Sequence, residues 1–169
     1  SYVYTLDDAD PDTEALAEGE IAYDTFTYTV VDDHGATDTA TLTIKITGTN
    51  DGPVANDDNN YVPSDPVVED PGGDPSAAGN VLTNDEDPDS ALHVSAVDGD
   101  AANVGMSVAG TYGSVTIDDS GLYAYILDND NPATQALKQD EVVFETFTYT
   151  AEDDHGATDT ATLTIKITG

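Results

Sequence analysis

Aspartates supply most of the chemistry that the side chains of this sequence can do. They come in runs: Asp7, Asp8 and Asp10; Asp51 directly after Asn50; Asp85, Asp87 and Asp89 at every second position; and Asp153 with Asp154. Carboxylates at this density bind hard divalent cations, and calcium is the best match because it accepts about six to eight oxygen ligands in flexible geometry. The whole sequence carries 35 Asp plus Glu against 3 Lys plus Arg, a formal charge of -32. A charge so one-sided repels itself when the chain compacts, and bound cations would fold it into the structure. Nucleic acid and anionic membrane surfaces are excluded as partners, because both demand positive charge. A disordered acidic tail is the duller explanation, but 38% hydrophobic residues and long β-patterned runs oppose it.

Each run also has a plainer reading. Asp85-x-Asp87-x-Asp89 begins like an EF-hand loop, yet position six is Ser90 rather than Gly and position twelve is Ala96 rather than Glu. It is therefore either an acidic turn or part of a different cation site. Asp128 and Asp130 read as an Asx-rich turn whose side chains bond their own backbone. His34 and His155 fall in turns, and His93 stands alone in a strand. Enzyme signatures are missing: there is no His-Glu-x-x-His, no Gly-x-Ser-x-Gly and no phosphate-cradling glycine loop, so the chain reads as a non-enzyme. With no cysteine, neither disulfides nor thiolate metal sites hold the fold. The sequence shows no signal peptide, transmembrane run or lipidation motif.

The elements that must position these aspartates are set by a repeat. Residues 32–48 return without a change at 153–169, a period of 153 − 32 = 121 residues, and the match extends back through Phe26/Phe147 and Pro11/Pro132 to Tyr2/Tyr123. A period of this length is a whole domain, so the pattern predicts beads on a string. Residues 1–48 are then the C-terminal part of a preceding repeat, 49–53 the linker and 54–169 a complete repeat. In the first part the pattern predicts strands at 2–6, 25–31 and 39–47, with Phe26 and Tyr28 on one face and Leu42, Ile44 and Ile46 inward. In the second it predicts strands at 54–62, 77–82, 92–97, 111–118, 122–127, 145–151 and 158–168, with a Pro- and Asp-rich loop at 63–76. No convincing helix is legible, although 133–141 has room for one turn. The fold class that follows is all-β, a Greek-key sandwich of about seven strands.

The stretches Tyr123-Ala-Tyr-Ile-Leu-Asp-Asn-Asp-Asn-Pro, Thr146-Phe-Thr-Tyr-Thr, Asp153-Asp-His-Gly-Ala-Thr and Thr43-Ile-Lys-Ile-Thr-Gly-Thr-Asn-Asp-Gly-Pro-Val-Ala resemble the VCBS repeat, a bacterial cadherin-like repeat of large surface and secreted adhesin-type proteins. Gly79-Asn-Val-Leu-Thr-Asn-Asp-Glu-Asp-Pro-Asp is similar to the start of related bacterial cadherin-like domains. The resemblance implies an immunoglobulin/cadherin-like sandwich in an extracellular or bacterial cell-surface array, with calcium at the junctions. The linker Gly48 to Val54 is similar to the calcium-binding linker of true cadherins, although Gly48 or Thr49 stands where that pattern has its first Asp.

Topology gives a separate reason to group the acids. Loops of a seven-stranded sandwich alternate between poles, which puts 84–90, 118–121 and 153–157 together where the chain enters. The expected metal ligands are therefore Asp7, Asp8, Asp10, Asn50, Asp51, Asp85, Asp87, Asp89, Asp153 and Asp154, with Ca2+ as the cofactor. The expected function is a calcium-stabilised spacer that stiffens an adhesin, its partners being neighbouring repeats. The alternative is a carbohydrate-binding or homotypic adhesion module, for which 9 Tyr and no Trp make a thin sugar platform. Because 2–48 and 123–169 are near copies, both can complete the front half 54–118; the local copy, joined by a short loop, should win, which leaves 1–48 either to fray or to pair with another molecule's front half in a domain-swapped dimer.

Overall fold

The computed structural model describes residues 1–61, 65–69 and 73–169. They divide into two compact bodies, Ser1–Asp51 with Pro88–Ser90, and Gly52–Asp87 with Ala91–Gly169.

The first body is built on one long hairpin, β1 (Ile21–Val31) with β2 (Thr37–Thr47), paired from Ile21↔Thr47 to Val31↔Thr37. Alternating Thr with aromatic and β-branched residues favours this extended pleat. Asp32 Oδ1 closes the turn by accepting from the His34 and Ala36 amides, each at 2.8 Å, while Gly35 takes the φ of +86° that the turn needs. One helical turn, α1 (Pro11–Glu14), precedes it, started by Asp10, whose side chain accepts from the Asp12 amide at 3.0 Å, and by Pro11 at the first position. The sequence pattern does not foresee this turn. Residues 2–6, expected as a strand, are not in one.

The second body is a two-sheet sandwich. One sheet has the order β3 (Asp58–Asn59), β11 (Thr158–Thr168), β10 (Val142–Glu152), β6 (His93–Val97), with β4 (Val67–Val68) also laid along β11. The other has the order β5 (Ser76–Asn80), β9 (Leu122–Leu127), β8 (Gly113–Ile117), β7 (Ser107–Ala109). The chain changes sheet after β4, β5, β6 and β9, the crossing pattern of a Greek-key sandwich. Inward residues of both sheets form one core that includes Val94, Val115, Tyr125, Tyr149, Leu163 and Ile165. The all-β sandwich read from the sequence is thus present.

Several of its details differ from the sequence reading. The strand expected at 54–62 shrinks to a bridge at Val54 and the pair Asp58–Asn59, and Val62 lies outside the described residues. The loop expected at 63–76 contains β4, which pairs parallel to β11 at Ile167↔Val67; positions 63, 64 and 70–72 lie outside the described residues. Residues 101–103 form a 3₁₀ turn capped by Asp100.

The two hairpins share an internal geometry. β10 pairs with β11 from Val142↔Thr168 to Glu152↔Thr158, the register of β1 and β2 displaced by the same repeat distance. Asp153 Oδ1 accepts from the His155 and Ala157 amides at 2.8 Å, as Asp32 does in its own turn. Tyr4 packs edge-on to Phe26 at 6.1 Å and donates to Asp24, while Tyr125 packs against Phe147 at 6.2 Å and donates to Glu145.

Candidate functional site

Five oxygen atoms converge on a single hydroxyl in the second body. Tyr149 lies on the inward face of β10 and is 1% exposed. Its Oη lies 2.9 Å from Asp58 Oδ2, 2.9 and 3.1 Å from the two oxygens of Asp85, and 3.0 Å from the main-chain carbonyls of Asn56 and Val81. A phenol has one proton to give. It satisfies one acceptor and leaves four more oxygens crowded around it.

Local chain geometry explains the convergence. Asp58 arrives on β3, which runs parallel to β11 at Leu163↔Asp58. Carboxylates hold the approach to β3 in place: Asp159 Oδ2 accepts from the Ala55 amide at 2.9 Å, Asp85 Oδ1 from Asn56 at 2.7 Å, and Asp57 Oδ1 from Thr162 N at 2.9 Å. The Asn56 and Asn84 side chains bond each other's backbone carbonyls, and Val54 bridges to Glu86. The turn after β5 is thereby fastened to the segment before β3.

Burial pushes the Asp58 carboxyl up to about 6, opposed by the Tyr149 hydrogen bond and assisted by the charges of Asp85 and Asp57. Burial also raises Asp85, against the bonds from the Asn56 amide and Tyr149. The Tyr149 hydroxyl is driven upward by burial first and by the charge of Asp58 next, so it stays protonated. This is a site of hard, anionic and carbonyl oxygens in partial shelter from water, the donor set that a calcium-sized cation takes. Among the described residues, no group of three or more His, Asp or Glu side chains has an arrangement that would hold a metal. Two carboxylates with two carbonyls and a hydroxyl make up the set around Tyr149.

Of the ten residues singled out from the sequence, Asp85 alone is in this cluster. Asp87 Oδ2 is buried nearby in sequence, Asp153 caps the β10–β11 turn, and Asp154 is exposed. In the first body, Asp89 Oδ2 accepts from the Asp51 amide at 3.3 Å, and Asn50 Oδ1 and Asp89 Oδ1 are shielded from solvent. Asp8 and Asp51 line one cavity of about 170 Å³ there, and Asp7 and Asp10 another of about 390 Å³ with Asp12 and Asp24. Asp7 and Asp10 also bond their own loop backbone. Asp128 accepts from the Asp130 amide at 3.0 Å, the Asx turn expected there. Sequence reasoning missed Asp58, Tyr149 and the two carbonyls. The signals were the Asp57-Asp58 pair just after the linker and a tyrosine sharing inward parity with Phe147.

A second buried acid has a structural role. Glu145 accepts from the amides of Thr111 and Tyr112 and from the Tyr125 hydroxyl at 2.7 Å, which fastens the loop before β8 to β10. A cavity of about 590 Å³ opens beside the Tyr149 cluster, lined by Asp57, Asp58, Asp65, Asn80, Asn84 and Tyr123 among others. Among the described residues no helix is long and apolar enough to cross a membrane.

A family model described as bacterial cadherin-like domain matches residues 50–169. The calcium-binding lectin RapA2 of Rhizobium johnstonii is 31% identical over 178 residues, an alignment covering 100% of this chain and 68% of that protein. Among solved structures, the extracellular cadherin domains 3–6 of protocadherin gamma B2 align with a TM-score of 0.41 at 16% identity, over 98% of this chain and 35% of that one. Mouse protocadherin-24 EC1–3 aligns with a TM-score of 0.39 at 14% identity, over 87% of this chain and 46% of that one. The chain thus spans less than half the length of either protocadherin fragment.

Proposed function

Because the chain belongs to the bacterial cadherin-like domain family, we propose that it is a calcium-stabilised extracellular module that spaces and rigidifies a bacterial surface or secreted adhesin. The observation that carries this reading is the crowding of five acceptor oxygens around the one proton of Tyr149. Asp58 and Asp85 would hold the cation, with the carbonyls of Asn56 and Val81 alongside. Bound calcium supplies a compact double positive charge that lets both carboxylates stay ionised at close range. The chain's own residues do the remaining work. Asp159, Asp57 and Asp85 clamp residues 54–59 by backbone bonds, so order at the carboxylates is order in the segment that leads into the sandwich. The calcium-binding relative supports the choice of ion.

Thermal unfolding in excess EDTA and in millimolar calcium, with magnesium as control, tests the reading. At free calcium about 100 times Kd, a site adds about 2.7 kcal/mol, and a tenfold loss of affinity halves that gain. Asp58→Asn and Asp85→Asn should each cut the calcium-dependent rise in Tm by about half or more. An undiminished rise in both variants would exclude the Tyr149 cluster as the site. A carbohydrate-binding reading is supported by the cavity lined by Tyr123 with Asp and Asn side chains and by the lectin among the relatives. Retention on insoluble polysaccharide separates it from a pure spacer.

A further inference from the structure

The cavity of about 590 Å³ in the second body contains a polar group that the fold does not use. Tyr123 lies on the inward face of β9, is 7% exposed and lines that cavity. Tyr125 and Tyr149, buried like it, both donate from their hydroxyls. The Tyr123 hydroxyl makes no hydrogen bond among the described residues. A buried phenol without a partner is costly, so its position asks for a group from outside the chain. The ring reaches this place because position 79, paired with Tyr123 across β5 and β9, is glycine: a Cβ there would stand 2.7 Å from the ring.

The cavity wall has acceptors to spare and few donors. Asp57, Asp58 and Asp65 each commit one carboxylate oxygen to the fold, to the Thr162 amide, the Tyr149 hydroxyl and the Ala78 amide. The second oxygen of each has no hydrogen bond among the described residues. The amide donors of Asn60, Asn80 and Asn84 are taken by main-chain carbonyls. No Lys or Arg is among the lining residues. Burial first, and then the charges of Asp65 and Asp58, raise the Tyr123 hydroxyl, which stays protonated. It feels both carboxylates but bonds neither, which leaves a gap between them. Among the described residues no three acids are grouped closely enough to hold a metal ion. The volume falls instead in the range of small-molecule sites, about 300–1,000 Å³.

We propose that this cavity binds a small organic molecule through a protonated primary amine, its N–H groups shared among Asp57, Asp65 and the Tyr123 hydroxyl oxygen. An ammonium brings three donors, no acceptor and the positive charge that the wall lacks. A neutral sugar would satisfy the hydroxyl but leave the carboxylates uncompensated. The Tyr123 ring, moreover, is laid against β5 at Gly79 rather than presented for stacking. The inference goes beyond the calcium reading and does not rest on it. Asp58 borders both sites, whereas Tyr123 and Asp65 are outside the Tyr149 cluster.

Glucosamine and putrescine are the probes, with N-acetylglucosamine as the neutral control. Each is titrated at neutral pH into the whole 169-residue chain, in millimolar calcium and about 0.15 M sodium chloride, where long-range attraction to the acidic surface is screened. Amide chemical shifts of Ala78, Gly79, Asn80 and Tyr123 should saturate with at least one amine and stay in place with N-acetylglucosamine. Saturation by glucosamine alone identifies an amino sugar as the source of the amine, by putrescine alone an alkyl amine, and by both the ammonium group itself. Tyr123→Phe keeps the ring on Gly79, and Asp65→Asn keeps an acceptor for the Ala78 amide. Each should weaken binding at least about fivefold. Both should retain the calcium-dependent rise in Tm, so loss of the amine site and loss of the calcium site are read apart. Saturation by N-acetylglucosamine at the same concentration, shifts spread over the surface without saturation, no shift with either amine, or unchanged affinity in both variants overturns the proposal.

Discussion

Asp58 shares the single proton of Tyr149 with four other acceptor oxygens, and its partial burial raises its carboxyl against the help of that hydrogen bond. Its folded pKa is raised to about 6 from 3.8, chiefly by burial, and Asp85 is raised in the same direction. An acid whose pKa rises on folding resists ionising in the native state. Stability is therefore full at low pH, and it falls as pH climbs through the interval from 3.8 to about 6. In EDTA, the sandwich should melt at higher temperature at about pH 5 than at about pH 7.5, and Asp58→Asn should flatten that slope. The lowered acids Asp74 and Asp159 work in the opposite sense but only below the ordinary carboxylate value, outside this window. Calcium favours the ionised pair, so with the ion present the slope should shrink or reverse. Circular-dichroism melts across pH, with and without calcium, check both signs. A slope that persists unchanged in Asp58→Asn would put the pH dependence elsewhere.

Elements with strong period-two patterning were legible in the sequence; elements made by long-range pairing were not. The hairpins at 21–47 and 142–168 declare themselves through alternating Thr and apolar residues bounded by Asp-Asp-His-Gly. Residues 2–6 carry the same kind of pattern as β9, yet they form no strand, because β9 lies between β5 and β8 and the first body has no such neighbours. β4 and β7, with two and three residues, are too short to have a period at all. The cluster around Tyr149 was hidden for the same reason: Asp58 matters only because β3 lies beside β11, a pairing across about a hundred residues that no local pattern announces. The twin hairpins turn this into a prediction about context. Phe147→Ala should cost the sandwich about 3–5 kcal/mol, as for a buried aromatic. Phe26→Ala should leave the sandwich transition within about 0.5 kcal/mol of its original stability, since Phe26 belongs to the first body and is half exposed. Urea unfolding followed by near-ultraviolet circular dichroism compares the two; equal losses would mean that the first hairpin is buried in solution.

At the scale of the whole molecule, a charge of -32 on 169 residues has two separable consequences. Diffuse self-repulsion destabilises any compact state and is relieved by every salt according to its ionic strength. A site of defined geometry responds to one ion and saturates at its own concentration. Screening alone predicts that sodium chloride raises Tm gradually from low salt to about 0.5 M, where the Debye length has fallen to a few Å. It also predicts that calcium and magnesium act alike at matched ionic strength. A built site predicts a steep calcium rise complete at millimolar concentration, superimposed on the shallow sodium curve. Magnesium lags because it demands tighter octahedral geometry and gives up its water reluctantly. The site proposed at Tyr149 would offer two carboxylates, two carbonyls and a hydroxyl, a mixed oxygen set of the kind the larger ion accepts. Melts at constant ionic strength, with sodium replaced stepwise by calcium or magnesium, decide between the two. Superimposable calcium and magnesium curves would reduce the acidity to surface charge, whereas a calcium step that survives in high sodium requires ligands held by the fold.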